Sequence, residues 1–205
     1  MIAYASRTGT RRNLDALRGA GWRLLVSARG VLRHEGFVYA IDNGAWTAHI
    51  RGEAFDEAAF IRALEWAASQ PSPPDWIILP DIVAGGADSL RYSLSWLARV
   101  RGPVLLAVQD GMEPADVAPH VGGRVGLAVG GSTRWKEDTM RQWGVVAQSA
   151  GCWLHVLRVN TARRIAMCAD AGADSFDGSS ASRFADTLPL LTDALRQPSL
   201  IGRCV

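Results

Sequence analysis

Residues 104–131 read VLLAVQDGMEPADVAPHVGGRVGLAVGG. Two short apolar runs, Val104–Val108 and Val125–Val129, stop abruptly, the first at Gln109-Asp110-Gly111 and the second at Gly130-Gly131-Ser132. Such runs, bounded by turn formers, are strand signals. The same pattern recurs on both sides. Strands are expected at Ile2–Ala5, Arg23–Ser27, Val38–Ile41, Trp76–Pro80, Val104–Val108, Val125–Val129, Trp153–Leu157 and Ser175–Phe176.

Amphipathic stretches fill most of the gaps. Leu90, Leu94 and Leu97 share a helical face, as do Met140, Trp143 and Ala147, and Leu188, Leu191 and Leu195. Thr10, Asp56, Thr161 and Asp186 stand at N-cap positions. Ala28–Phe37, between strands two and three, reads as a loop without a helix. Eight strands and seven helices predict an α/β fold, a minimal single-domain (β/α)8 TIM barrel over residues 1–205. A doubly wound open sheet is the alternative, but GxGxxG after the first strand and GxxxxGK[ST] are both missing. Gln70-Pro71-Ser72-Pro73-Pro74 is a rigid turn into strand four rather than a domain boundary.

The 205 residues, 48% hydrophobic and 20% charged, suit a globular domain with a full core and exclude a disordered tail. No run approaches the roughly 18 apolar residues of a membrane helix, and no secretory signal leads the chain. Cys152, Cys168 and Cys204 form no metal or disulfide spacing, so thiols in a reducing cytoplasm, and no bound metal, are expected. Net charge is +2, but residues 1–34 carry seven arginines against Asp15, or +6, leaving −4 elsewhere. That asymmetry points to phosphate-bearing partners, and a solvated helix face is the plainer reading. The chain has 21 arginines and one lysine, Lys136.

Polar residues gather after the strands: Asp42-Asn43-Gly44, Asp81, Gln109-Asp110-Gly111, Gly130-Gly131-Ser132, Arg158 and Asn160, and Asp177-Gly178, with His155 inside strand seven. In a barrel these ends converge on one rim. Asp and Gly after a single strand are ordinary turn residues. Carboxylates ending three strands, with a Gln on a fourth, favour a pocket. Paired carboxylates suit nucleophilic attack at an anomeric carbon with proton management of the leaving group. Asp and Gln can also read a purine edge. The residues alone thus reach glycosyl or N-glycosyl transfer.

These strand-end motifs resemble the tRNA-guanine transglycosylase superfamily, in the same chain order. Ile41-Asp42-Asn43-Gly44-Ala45-Trp46 resembles D-S-G-G-F-Q, and Pro80-Asp81-Ile82 lies where the family has its base-reading Asp. Ala107-Val108-Gln109-Asp110-Gly111 resembles V-Q-G-G, Gly126–Gly130 matches G-L-A-V-G, and Ala171–Asp177 resembles G-x-D-x-F-D. The resemblance runs from Ile41 to Arg183, and the whole chain looks like the short phage and actinobacterial proteins grouped with the 7-deazapurine DNA modification transglycosylases.

The resemblance implies a nucleophile at Asp177 and a general acid/base at Asp42. Asp81 and Gln109 would bind the base edge, Gly126 and Leu127 would offer backbone groups, and His155 would lie in the base pocket. Arg7, Arg11, Arg12 and Arg183 are candidate phosphate contacts. The implied reaction exchanges guanine in DNA or tRNA for a free 7-deazaguanine, without cofactor. The family's C-x-C-x-x-C…H zinc insertion and archaeal-type RNA-binding domain are absent from the sequence, which tilts the substrate to DNA. Gly131 stands where the bacterial tRNA enzymes carry a Glu that recognises an aminomethyl group, which suits the neutral nitrile of 7-cyano-7-deazaguanine (preQ0). Two alternatives remain: an N-glycosidase or transglycosylase acting on free nucleosides or nucleotides, and a non-catalytic nucleic-acid-binding subunit.

Overall fold

The computed structural model describes residues 1–183 and 186–196. Cys204 lies outside them. Eight parallel strands close in sequence order, each hydrogen-bonded to the next and β8 to β1: β1 Ile2–Ser6, β2 Arg23–Ser27, β3 Tyr39–Asp42, β4 Ile77–Ile78, β5 Val104–Val108, β6 Val125–Val129, β7 Leu154–Val156 and β8 Ser175–Gly178. The predicted barrel is therefore the fold, and no helix separates β2 from β3. The strands read as continuous apolar runs because both faces are covered.

Alternate residues point inward. Tyr4, Leu25, Ala40, Trp76, Ile78, Leu105, Ala107 and Ala128 fill the interior. Their neighbours, among them Val26, Ile41, Leu106, Leu127 and Phe176, join the shell beneath the helices. Large rings beside alanines let the small barrel fill without voids. β4 is shorter than predicted at both ends; beyond it Leu79 N still donates to Leu105 O, whereas Pro80 has no N–H to give.

Nine α-helices stand outside among the described residues, two more than predicted: α1 Arg11–Gly19, α2 Ala45–Ile50, α3 Glu57–Ala68, α4 Gly86–Trp96, α5 Pro114–Val117, α6 Thr133–Ala150, α7 Ala162–Asp170, α8 Ser180–Arg183 and α9 Thr187–Arg196. Two helices follow β3 and two follow β8. Asp56 and Thr161 cap α3 and α7 through Ala59 N and Arg164 N, whereas Thr10 makes no side-chain cap bond. Asp186 immediately precedes α9.

Met140, Trp143 and Ala147 are buried as their spacing predicts. On α4 the buried face is instead Ser89, Leu90, Ser93 and Trp96, with Leu94 and Leu97 only partly covered. The serines turn inward because their hydroxyls hold the β4–α4 loop, Ser93 Oγ donating to Pro80 O and Ser89 Oγ accepting from Ile82 N. Among the described residues no helix is long and apolar enough to cross a membrane.

Candidate active site at the barrel mouth

Asp42 and Asp177 each sit at the carboxyl end of a strand with inward parity. Asp177 registers with Tyr4 of the interior and Asp42 with Ser27. Phe176 faces the opposite way, edge-on to Trp22 in the outer shell. The barrel thus brings two residues 135 positions apart in the sequence onto one rim, close enough for the charge of Asp177 to act on Asp42.

Burial pushes the Asp42 carboxyl up to about 6, and the charges of Asp177 and Asp81 push the same way against Ser27 and the Gly44 N–H. Asp81 is likewise raised to about 6 by burial, opposed by Asn43 and by the positive charge of Arg158. Asn43, quoted in the motif but given no role there, organises this edge. Its Nδ2 donates to Asp81 Oδ1 and to Leu79 O, each at 2.7 Å, while its Oδ1 accepts from Ala45 N at 2.8 Å.

Both raised carboxyls bind protons more tightly in the native state than in the unfolded chain. Their contribution to stability is present below the unfolded pKa, near 4, and is lost as pH rises through about 6. Asp81→Asn is expected to be more stable than the parent at about pH 8, by up to about 3 kcal/mol, with the gain vanishing near about pH 4. Urea unfolding at the two pH values checks this, and an equal stability of parent and variant at the higher pH would refute it.

Asp177 is buried, and its Oδ1 accepts from the Arg158 backbone N–H at 3.0 Å and faces His155 Nε2 at 3.3 Å. It is not a cap for α8, because Ser180 N donates to Asn160 Oδ1 instead. Arg158, absent from the predicted site, stands among Asp177, Asp81, Asp110 and Asp42, all of whose charges act on it. Its backbone is left-handed at φ 58°, its guanidinium lies 4.0 Å from the centroid of the Trp46 ring, and it donates to Gly131 O. Lys136 is buried behind this loop and donates to Leu157 O, with burial and the Arg158 charge lowering its pKa to about 8.

Several residues named from the sequence have other tasks. Gln109 spends its amide on the β4–α4 loop: Nε2 donates to Ile82 O and Ser89 Oγ, and Oε1 accepts from Ala84 N. It presents the loop beside Asp81 rather than an open amide edge. Gly126 and Leu127 lie mid-strand, below the rim. Gly126 registers with Leu105, Leu127 N donates to Trp153 O, and the Leu127 side chain faces the helices. Ladder bonds occupy the backbone groups that were expected to meet a base. His155 is fully buried in the barrel beside Trp76 and Tyr4, beneath Asp177 rather than open at the mouth.

Two glycines also receive a local explanation. A side chain at Gly178 would collide with Val159 O, so the close approach there is to the β7–α7 loop. At Gly131, with φ 70°, a side chain would collide with Asp110 Oδ2 and Trp135. The missing Glu is therefore not an open space: the Asp110 carboxylate occupies it, held by Ser132 N and Ser132 Oγ, both at 2.6 Å.

Of the four arginines, Arg7 is tied to Glu35 at 2.6 Å, whereas Arg11, Arg12 and Arg183 are exposed. Arg11 and Arg12 open α1 and Arg183 ends α8, two helices that pack together and are joined by Asn13 Nδ2 donating to Ser182 O. Arg7 and Arg11, with Arg18 and Arg33, line a cavity of about 450 Å3 shared with Asp15 and Glu35. No protein-family model and no curated protein matches the chain.

Proposed function

We propose that the chain is a pentosyltransferase of the guanine transglycosylase type, which replaces guanine in nucleic acid, DNA in preference to tRNA, with a 7-deazaguanine such as preQ0. One observation carries the reading: two carboxyl groups share the barrel mouth in different surroundings, Asp42 raised to about 6 by burial and Asp177 held by hydrogen-bond donors. A carboxyl raised by burial suits the acid, and a neighbouring carboxyl anchored by donors suits the nucleophile.

The Asp177 carboxylate would attack C1′ as the bond to guanine breaks, with the bonding pair leaving on the base and the Asp42 proton neutralising it. The free 7-deazaguanine would then give a proton to Asp42, attack C1′ and expel Asp177. The covalent ester keeps the strand bound while bases exchange, and a base within a duplex would first be flipped out at a few kcal/mol. Asp81, joined to Asn43, would meet the base edge. Trp46, exposed at the rim, offers a ring face to a base once Arg158 moves off it. The identity of the 7-substituent no longer follows from Gly131, since Asp110 stands there, and competition between preQ0 and its aminomethyl analogue decides it.

Release of guanine from duplex DNA, single-stranded DNA and tRNA against incorporation of labelled preQ0 tests the reaction. Turnover on free nucleosides alone would replace it with the nucleoside reading, and binding without turnover would support a non-catalytic subunit.

Polynucleotide affinity should fall steeply with salt. Arg7→Glu also places two carboxylates together at Glu35, so the clean reversal is Arg11→Glu with Arg12→Glu. That pair should reduce the salt slope by roughly 2, about one per phosphate contact. An unchanged slope in a filter-binding titration would remove α1 from the interface.

A further inference from the structure

We propose that His155 is a positioning residue that fixes which oxygen of Asp177 faces the sugar, as the middle member of a one-way hydrogen-bond chain, Trp153 to Ser175 to His155 to Asp177, within the barrel. The proposal rests on reading Asp177 as the nucleophile.

The direction of the chain follows from donor chemistry. An indole N–H can only donate, so Ser175 Oγ accepts from Trp153 Nε1 at 2.8 Å. The same hydroxyl lies 2.8 Å from His155 Nδ1. Its one proton can go to Nδ1, which leaves the imidazole proton on Nε2, facing Asp177 Oδ1 at 3.3 Å. The other tautomer would set the Nε2 lone pair against a carboxylate oxygen. Burial keeps His155 below its ordinary pKa despite Asp177, and the positive charge of Lys136 adds to that effect. The groups facing the imidazole are Asp177 on β8, Lys136 on α6 and the Tyr4 ring on β1. A neutral Nε2–H imidazole is the form that satisfies all of them.

Oδ1 therefore takes two donors, His155 Nε2–H and Arg158 N–H. Among the described residues no hydrogen bond reaches Oδ2. Oδ1 is anchored and Oδ2 keeps its lone pairs for C1′. Rotating the carboxyl would cost both anchors, so the chain holds the attacking oxygen in place through a residue that never touches substrate.

The test uses the full chain with 15N-labelled histidine. The sequence has four histidines. One should show the Nε2–H tautomer and titrate at lower pH than an unperturbed imidazole. That signal should vanish in His155→Gln and lose its tautomer preference in Ser175→Ala. An Nδ1–H signature, or an imidazole at 155 that titrates normally, would overturn the chain. Kinetically, His155→Gln keeps an N–H donor at similar reach and should stay within about tenfold of the parent kcat. His155→Leu should lose about 100-fold, the scale of a misplacement of about 1 Å, with KM for nucleic acid unchanged. Equal kcat in the Gln and Leu variants would overturn the positioning role. If the tautomer is as stated but the parent exchanges no base, the hydrogen-bond chain stands and the nucleophile reading fails. Should His155→Leu not fold, Ser175→Ala carries the kinetic arm, with a smaller loss in kcat at unchanged KM expected.

Discussion

Asp177→Asn is expected to abolish base exchange and to leave no covalent adduct between protein and nucleic acid, while nucleic-acid binding persists. The substitution keeps the shape and still offers one oxygen to His155 and to the Arg158 N–H, so the β7–α7 loop retains its anchor. What disappears is the carboxylate charge that captures C1′, and a neutral amide is a poor nucleophile. Were Asp177 only a turn residue, Asn would serve nearly as well. The helix after β8 has its own acceptor in Asn160, so loss of capping cannot mimic the effect. Guanine release against labelled preQ0 incorporation, with denaturing electrophoresis for the adduct, decides it. Turnover near the parent level would remove the central residue of the proposed mechanism.

Asp42→Asn should lower kcat by ~100- to 10,000-fold, the usual worth of a positioned acid or base, and spare binding. The parent should also release guanine more slowly as pH rises past about 6, because only the protonated Asp42 can donate to the leaving base. The variant should show no such limb. A single-turnover profile with the same limb in both proteins would assign the proton to another group, with Asp81, also raised to about 6, the next candidate. The same variant separates activity from stability: it removes a carboxyl whose charged form burial disfavours, so it should fold at least as well as the parent above pH ~6.

The barrel and the rim positions were legible in the sequence because their signals are local. An apolar run ended by Asp, Asn or Gly gives a strand end, and parity along the run says which side chain looks inward, as for Phe176 and Asp177. The bare β2–β3 connection was legible for the same reason, since Ala28–Phe37 has no helical period. The partners were not. Gln109 is claimed by Ile82, Ala84 and Ser89, residues 27, 25 and 20 positions away, and nothing in V-Q-D-G announces that. Nor could G-L-A-V-G show how far below the rim its first two residues fall, because barrel stagger sets that depth.

The chain by itself thus determined a closed parallel barrel with Asp42, Asp81 and Asp177 at strand ends, since hydrophobic period and turn chemistry act over a few neighbouring residues. Only the tertiary structure decided that Arg158 stands among the carboxylates, that Asn43 holds Asp81, that Lys136 supports the loop from behind and that His155 lies under Asp177. Those assignments depend on which side chains meet across strands and loops. Hydrogen bonds reach about 3 Å and charge interactions about 10 Å, so partners distant in sequence acquire their roles only when the barrel has closed.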